Sequence, residues 1–260
     1  MIPKKIHYCW FGGNPIPEKD KKCIESWKKF CPDYEIIRWD ESNYDIRKNK
    51  FISQAYDMKK WAFVSDYARL DIIYNNGGIY LDTDVELVKS LDILLENEAF
   101  MGFEKGRVVA TGLGFGAIPH QKGIKLLRDS YDNLEFVDSN GKQKSNKDIN
   151  CPIINSNILI EHGAVMNDKE QIVHGITLYP TEYFCPLDSA TGELKCTDKT
   201  FSIHWYNMSW LTDFDKKWRL RQQKFTKIFG EKTAYKLVVI LGFPGRTIRK
   251  IKKYLFGANA

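Results

Sequence analysis

Two carboxylates two positions apart, Asp82 and Asp84, are the residues of this sequence best suited to chemistry. They follow apolar residues 79–81, which predict a short buried strand after the helix-stopping pair Gly77 and Gly78. On an extended chain both carboxylates face the same way, and such hard oxygen ligands suit Mg²⁺ or Mn²⁺ carrying a diphosphate. An isolated Asp-x-Asp match is also typical of a solvated acidic strand end, so the surrounding residues decide between the two interpretations.

A charged pair lies one helix earlier, at Asp66 and Arg69. The apolar pattern predicts a largely buried helix over residues 61–76, and a spacing of three places the pair on one face of it. The two side chains can therefore pair with each other or reach together towards a ligand. The alternative is a surface ion pair, which contributes only about 0.3–0.5 kcal/mol.

A third candidate ligand is His204, at the end of a short apolar run that begins at residue 201. Imidazole is an ordinary ligand for Mn²⁺-like ions, so His204 is predicted to complete the site begun by Asp82 and Asp84. A histidine among aromatic residues is equally often a structural residue with satisfied hydrogen bonds, and this alternative stays open.

The elements that must position these side chains predict an α/β fold. An aromatic strand over residues 4–11 ends at Gly12 and Gly13, a helix covers 17–29, and a second strand covers 35–39. Strand, helix and strand in succession favour a right-handed crossover in a parallel sheet. Further predictions are strands at 85–88 and 100–103, helices at 90–95, 121–134 and 155–162, and a polar loop at 139–150.

Residues 111–117 form a glycine-rich segment that resembles a phosphate-binding loop at first sight. The segment lacks the Lys-Ser/Thr ending of a P-loop, and its glycines do not fit the dinucleotide fingerprint. We therefore expect a tight strand or loop near the substrate and assign it no phosphate role.

Length and composition bound the class of protein. With 260 residues, 43% of them hydrophobic, the chain can bury a substantial core. Its six cysteines show no zinc-type spacing, which favours buried, reduced thiols and a cytoplasmic location. The sequence contains no apolar stretch of membrane-spanning length and no evident export signal.

Charge is distributed unevenly along the chain. Residues 215–260 contain thirteen Lys or Arg and two acidic residues, a net +11, which leaves −5 for residues 1–214 out of the total of +6. We predict a catalytic domain at 1–230 and a basic helical tail at 231–260, in which Ile248, Ile251 and Leu255 share one helical stripe. This pattern is typical of a helix at an anionic membrane surface. Nucleic acid is not an expected partner because the tail lacks a recognised binding motif.

These separated segments together resemble the DXD-containing glycosyltransferases of family 32, of the capsular-polysaccharide type, and more distantly the glucosyltransferase domains of large bacterial toxins. The resemblance spans most of residues 1–210. The segments that carry it are the opening residues 6–13, residues 65–69, residues 77–84, and His204 with Ser209 and Trp210.

The resemblance implies a GT-A type nucleotide-diphospho-sugar transferase fold with a mostly parallel central sheet flanked by helices. It further implies transfer of a hexose, with retention of configuration, from a nucleotide-diphosphate sugar to a saccharide acceptor that can be lipid-linked. Mn²⁺ or Mg²⁺ is the implied cofactor, a UDP-sugar is the favoured donor, and the cytoplasmic face of a membrane is the expected place of work.

The resemblance also implies roles for individual residues. Asp84 would bind the metal, Asp82 would bind the metal or the ribose, and Asp66 and Arg69 would hold the sugar hydroxyls and the phosphate side of the donor. Trp10 would stack on the base. The other implied nucleotide-sugar residues are His7, Ser65 and Tyr80 near the nucleotide and His204, Asn207, Ser209 and Trp210 over the diphosphate.

Two other classes of protein remain as alternatives. The seven tryptophans and the basic tail are compatible with a non-enzymatic carbohydrate- or nucleic-acid-binding protein. An Asp-x-Asp phosphotransferase is less favoured, because that pattern places Thr or Val where this chain has Glu86.

Overall fold

The computed structural model describes residues 1–105, 107–207, 213–230 and Thr233. By its internal contacts the chain divides into two units. The first comprises Met1–Pro186 and Lys195–Trp205, and the second includes Leu187–Leu194 and continues from Tyr206. The predicted tail lies outside the described residues except for Thr233, so the boundary at residue 230 stays a prediction.

The described residues form short strands and helices of four to seventeen residues, interspersed along the chain. The strands are β1 Lys5–Cys9, β2 Glu35–Trp39, β3 Gly78–Tyr80, β4 Val85–Leu87, β5 Ala99–Glu104, β6 Val108–Val109, β7 Phe115–Ala117, β8 Gln171–Val173, β9 Ile176–Tyr179 and β10 Ser202–His204. The helices are α1 Glu18–Phe30, α2 Lys50–Asp57, α3 Trp61–Asn76, α4 Lys122–Asp129, α5 Asn146–Ile149, α6 Cys151–Glu161, α7 Thr181–Phe184 and α8 Asp213–Phe229. Single 3₁₀ turns occur at Asp92–Glu96 and Thr111–Leu113.

The main sheet has the strand order β2-β1-β3-β7-β5-β9-β8, with β6 paired to β5. Strands β2, β1 and β3 pair in parallel, and so do β5 and β9, while β7 is antiparallel to both β3 and β5. Five of the seven strands along this order therefore run in one direction. The expected α/β architecture, a mostly parallel central sheet flanked by helices, is confirmed.

Helices cover both faces of the first half of the sheet. Successive side chains of β1 point to opposite faces, so neighbouring residues contact different helices. Tyr8 meets Trp27 of α1 edge-on, with ring centroids 5.6 Å apart. Cys9, the next residue along the strand, belongs instead to the core cluster that contains most of the buried residues of α3. A strand with both faces covered is expected to be apolar throughout, as β1 largely is.

The predicted helix stop at the glycine pair is confirmed. Gly77 caps α3 with φ of 64°, a conformation that glycine adopts without a side-chain clash, and its N–H donates to the Ile73 carbonyl at 2.9 Å. Gly78 opens β3 directly. A Cβ on Gly78 would lie 2.9 Å from both His7 Nε2 and the Lys5 carbonyl oxygen, so only glycine permits this close approach to β1.

His7 is a fully buried hydrogen-bonding link between three segments. Its Nε2–H donates to the Gly77 carbonyl at 3.0 Å, and its Nδ1 accepts from the Trp39 indole N–H at 3.0 Å. Burial lowers the pKa of His7 to about 4. A proton on Nδ1 would face the Trp39 donor, so the fold requires the neutral ring.

Several predicted elements differ from the structure. The helix predicted over 121–134 ends at Asp129, followed by turns, and α6 begins at Cys151 rather than 155 because the Asn150 side chain caps it. Helix α2, capped by Asn49, and strands β8 and β9 were not predicted. Five cysteines are buried and free as expected, whereas Cys196 is exposed.

We predict that His7 makes the stability of the fold pH-dependent. Its pKa is lower in the folded chain than the usual 6.5, so its contribution is complete above pH 6.5 and is lost as the pH falls towards 4. A shift of this size corresponds to about 3 kcal/mol in the free energy of unfolding. Urea unfolding of the wild type at pH 7.5 and 5 measures the part of this loss that falls between the two values, about 2 kcal/mol.

His7→Gln is the matched variant, because its amide can donate to Gly77 and accept from Trp39 but does not titrate in this range. The difference in unfolding free energy between pH 7.5 and 5 should be clearly smaller in His7→Gln than in the wild type. Identical pH dependence of the two proteins would contradict the assigned role.

Candidate metal and nucleotide-sugar site

The candidate site lies where neighbouring parallel strands end. β1 ends at Cys9 and β3 at Tyr80, with His7 opposite Tyr80 in the register. Trp10 and Asp82 thus follow the carboxyl ends of adjacent strands and share one edge of the sheet. In open α/β sheets this edge is where ligands bind.

The Asp-x-Asp motif lies in a tight turn. The Val85 N–H donates to the Asp82 carbonyl at 3.0 Å, and Tyr80 is the last residue of β3. The expectation that both carboxylates project from an extended chain is therefore corrected: this turn, and not strand alternation, brings them together. Thr83, between them, is buried and Asp82 and Asp84 are partly exposed.

Asp82 is held from two sides by buried groups. The Tyr80 hydroxyl donates to its Oδ1 at 2.9 Å, and Arg69 Nη1 lies 3.3 Å from its Oδ2. Arg69 in turn forms an ion pair with Asp66 one helical turn earlier. The side chain of Arg69 is only 6% exposed and that of Asp66 13%, so this is not the surface ion pair that the sequence left open.

His204 joins the two aspartates through a separate two-stranded sheet. β10 pairs antiparallel with β4, placing His204 opposite Val85, and the Trp205 N–H donates to the Asp84 carbonyl at 3.0 Å. His204 Nε2 lies 3.2 Å from Asp84 Oδ1. The three side chains can each offer one ligand atom, and these three atoms lie within 4.8 Å of one another in Asp82, Asp84 and His204.

The electrostatics of this cluster favour a cation. Burial, and then the neighbouring Asp84, raises the pKa of Asp82 in spite of Arg69. Burial acts to lower the pKa of His204, but the Asp84 and Asp82 carboxylates outweigh it and raise that pKa. Two close carboxylates with one imidazole are the O and N donors that suit Mn²⁺ or Mg²⁺, so the residues fit a divalent ion.

Three other predicted residues have their polar atoms engaged within the protein. Tyr80 is 1% exposed and its hydroxyl orients Asp82, and the two ring nitrogens of His7 are bonded to the Gly77 carbonyl and the Trp39 indole. The Ser65 hydroxyl donates to the Trp61 carbonyl one turn earlier in α3. Direct contacts of these three residues with a nucleotide stay predictions.

Trp10 is half-buried, and its indole N–H donates to the Asn14 carbonyl at 2.6 Å. Asn207 belongs to the second unit of the chain. Ser209 and Trp210 lie outside the described residues, so their predicted place over the diphosphate stays untested.

One residue of the site was missed by the sequence analysis. Gly112, in the 3₁₀ turn Thr111–Leu113, lies so close to the motif that a Cβ there would be 2.5 Å from Asp82 Oδ2 and 3.1 Å from Arg69 Nη1. The glycine-rich segment was expected near the substrate, and its contact with Asp82 agrees with that placement. The glycines of this segment fit neither known phosphate-binding motif, and in the sequence this was the one indication that they serve another purpose.

We predict that Gly112→Ala displaces Asp82 and Arg69 and weakens Mn²⁺ binding by about tenfold, in line with other changes to groups that support metal ligands. Electron paramagnetic resonance of free Mn²⁺ measures this affinity without requiring a reaction.

Gly123→Ala is the matched control, because its Cβ would be 2.7 Å from Ile176 Cδ1, away from the carboxylates. This variant should lose stability while retaining wild-type Mn²⁺ affinity. Wild-type affinity in Gly112→Ala, or equal losses in both variants, would show that Gly112 does not support the site.

Comparison with known proteins finds a family model that matches the part of the chain holding most of this site. Residues 17–101 match the family model described as a glycosyltransferase sugar-binding region containing a DXD motif. The matched region contains Asp66, Arg69, Asp82 and Asp84. This part of the chain is therefore similar to the sugar-binding region of DXD glycosyltransferases.

Several individual proteins are similar to this chain. The chain is 36% identical over 145 residues to inositol phosphoceramide mannosyltransferase 3 of Schizosaccharomyces pombe, which is 51% of this chain and 37% of the relative. It is 26% identical over 219 residues to uncharacterized glycosyltransferase L373 of Acanthamoeba polyphaga mimivirus, covering 81% and 84% of the two chains. A solved structure, PaToxG glycosyltransferase, aligns with a TM-score of 0.48 at 22% identity over 62% of this chain and 69% of that one. The chain spans about a third of the length of the first two curated relatives it matches.

Proposed function

We propose that this protein is a GT-A type glycosyltransferase that moves a hexose from a nucleotide-diphosphate sugar to an acceptor with the help of Mn²⁺ or Mg²⁺. The observation that carries the proposal is the convergence of Asp82, Asp84 and His204 beside the Asp66–Arg69 pair. The family match over 17–101 supports it, since it includes four of these five residues.

The arrangement of the residues suits this chemistry. Breaking the anomeric C–O bond leaves charge on a diphosphate, and a divalent ion held by Asp82, Asp84 and His204 supplies stabilisation for that charge. Arg69 fixes Asp82, and its guanidinium is kept protonated by the adjacent carboxylates. Asp66, tied to Arg69 and partly exposed, can accept hydrogen bonds from sugar hydroxyls.

Donor and acceptor are the finer part of the proposal. We favour a UDP-sugar donor and transfer with retention, as the resemblance implies. Three relatives are named inositol phosphoceramide mannosyltransferases and two are named mannosyl phosphorylinositol ceramide synthases. The candidate acceptors are therefore a lipid-linked one and a surface polysaccharide such as capsule.

We predict that the wild type slowly releases nucleoside diphosphate from one member of a panel of UDP- and GDP-sugars with Mn²⁺, and that Asp84→Ala lowers this rate by about a hundredfold or more. The reason is the loss of several kcal/mol of charge stabilisation. The productive donor should also raise the melting temperature, since a ligand at 100 times its Kd stabilises the fold by about 2.7 kcal/mol.

Asp132→Ala, which removes an exposed carboxylate at a distance in sequence from the motif, should leave the rate unchanged. Undiminished turnover by folded Asp84→Ala protein would exclude the metal role. A wild type that binds sugars but releases no nucleotide from any donor, with or without saccharide acceptors, would favour the non-enzymatic binding protein.

Peripheral membrane attachment through residues 231–260 is a second part of the proposal. It is supported by the basic and apolar pattern of the tail and by α8, which exposes Lys217, Arg221, Lys224 and Lys227 ahead of it. Each basic residue near an anionic surface contributes about 1 kcal/mol. In the described residues no helix is both long enough and apolar enough to cross a bilayer.

We predict that the full chain co-sediments with vesicles containing anionic lipid at low salt and that a chain ending at Gly230 loses most of this binding. Vesicles of neutral lipid should retain neither protein, because the attraction is electrostatic. If the full chain stays in the supernatant with anionic vesicles, the tail does not attach the protein to membranes.

A further inference from the structure

The middle residue of the Asp-x-Asp turn contacts a buried acid on another element. Thr83 is 9% exposed, and its hydroxyl donates to Asp20 Oδ2 at 2.9 Å. Asp20 is itself only 2% exposed. While the aspartates on either side of Thr83 contribute ligand atoms to the cation cluster, Thr83 is hydrogen-bonded to α1.

Burying a carboxylate costs free energy unless the group is hydrogen-bonded or paired, so the contacts of Asp20 must offset this cost. Asp20 occupies the first turn of α1, where the helix dipole favours negative charge. The hydroxyl of Thr83 adds a hydrogen bond to a charged acceptor, which is among the stronger kinds. The acid is thus stabilised at a position where it can hold the turn.

Helix α1 contacts the same segment at two further points. The Trp27 indole N–H donates to the Val85 carbonyl at 2.7 Å, and the Ser26 hydroxyl accepts from the Leu87 N–H at 2.9 Å. Asp20, Ser26 and Trp27 therefore hold residues 83–87 at three successive places. Strand β4 carries β10 on its other side, so the placement of His204 depends on the same segment.

We infer that Asp20 is a positioning residue whose hydrogen bond to Thr83 holds the turn in the geometry that lets Asp82, Asp84 and His204 bind a divalent cation. This inference rests on the proposed metal site and adds to it a residue outside the Asp-x-Asp motif. A metal site requires its ligands to be held within about 0.5 Å of the productive geometry. Without the bond to Asp20 the turn loses its link to α1 at Thr83, between the two proposed ligands, while Tyr80 and Arg69 still hold Asp82.

The test is Mn²⁺ binding measured by electron paramagnetic resonance on the full chain. Thr83→Val keeps the shape but removes the hydroxyl, and its Kd for Mn²⁺ should rise about tenfold or more. Thr83→Ser restores the donor and should recover most of the affinity. Asp20→Ala combined with Thr83→Val should lose little more than the larger single loss, because one hydrogen bond links the two residues.

Thr177→Val is the matched control. Thr177 is also 9% exposed and its hydroxyl donates to Asn97 Oδ1 at 2.7 Å, but it lies on β9, which is separated from β3 by two strands. This variant should lose stability comparably and keep wild-type Mn²⁺ affinity. Wild-type affinity in a folded Thr83→Val protein, or equal losses in Thr83→Val and Thr177→Val, would overturn the positioning role alone. A wild type that does not bind Mn²⁺ would overturn the metal site and this inference together.

Discussion

The structure of the site depends on one partly buried negative charge, the carboxylate of Asp82. Partial burial makes this charge costly, and the second carboxylate of Asp84 beside it adds repulsion. Arg69 and the Tyr80 hydroxyl offset part of the cost, but Arg69 is shared with Asp66. The local balance therefore favours an additional positive charge, which is the physical basis for a cation site at this position.

The scaffold brings each group to this charge by a different kind of contact. Helix α3 supplies Asp66 and Arg69, and its capping residue Gly77 leads the chain directly into β3 and the turn. Helix α1 supports the turn through separate contacts. The Thr111–Leu113 turn approaches closely enough that only glycine fits at Gly112. Helices α1 and α3, the Thr111–Leu113 turn and β10 thus converge on one turn, as expected for a site at the carboxyl edge of a parallel sheet.

Much of the first half of the chain could be predicted from local patterns. Helices α1 and α3 and strands β1 and β2 agree with their predicted bounds to within a few residues, since apolar periodicity and glycine stop signals are encoded locally. The turn at Asp82 could not be predicted. It is closed by one backbone hydrogen bond, from the Val85 N–H to the Asp82 carbonyl, and no side-chain pattern marks such a bond. Nor could one predict the contacts of Gly112 and Thr83, which exist only in the packed chain, or α2 and the β8–β9 pair, whose short segments carry weak periodicity.

The pairing of β10 with β4 determines when the proposed cation site is completed during synthesis of the chain. The two aspartates are synthesised about 120 residues before His204, and contacts this distant in sequence form late because closing a long loop costs entropy. In a growing chain the proposed cation site therefore lacks its histidine ligand until nearly the whole body has left the ribosome. The proposed site is complete only after the surrounding fold has formed, so cation binding there would follow most of the folding and would not start it.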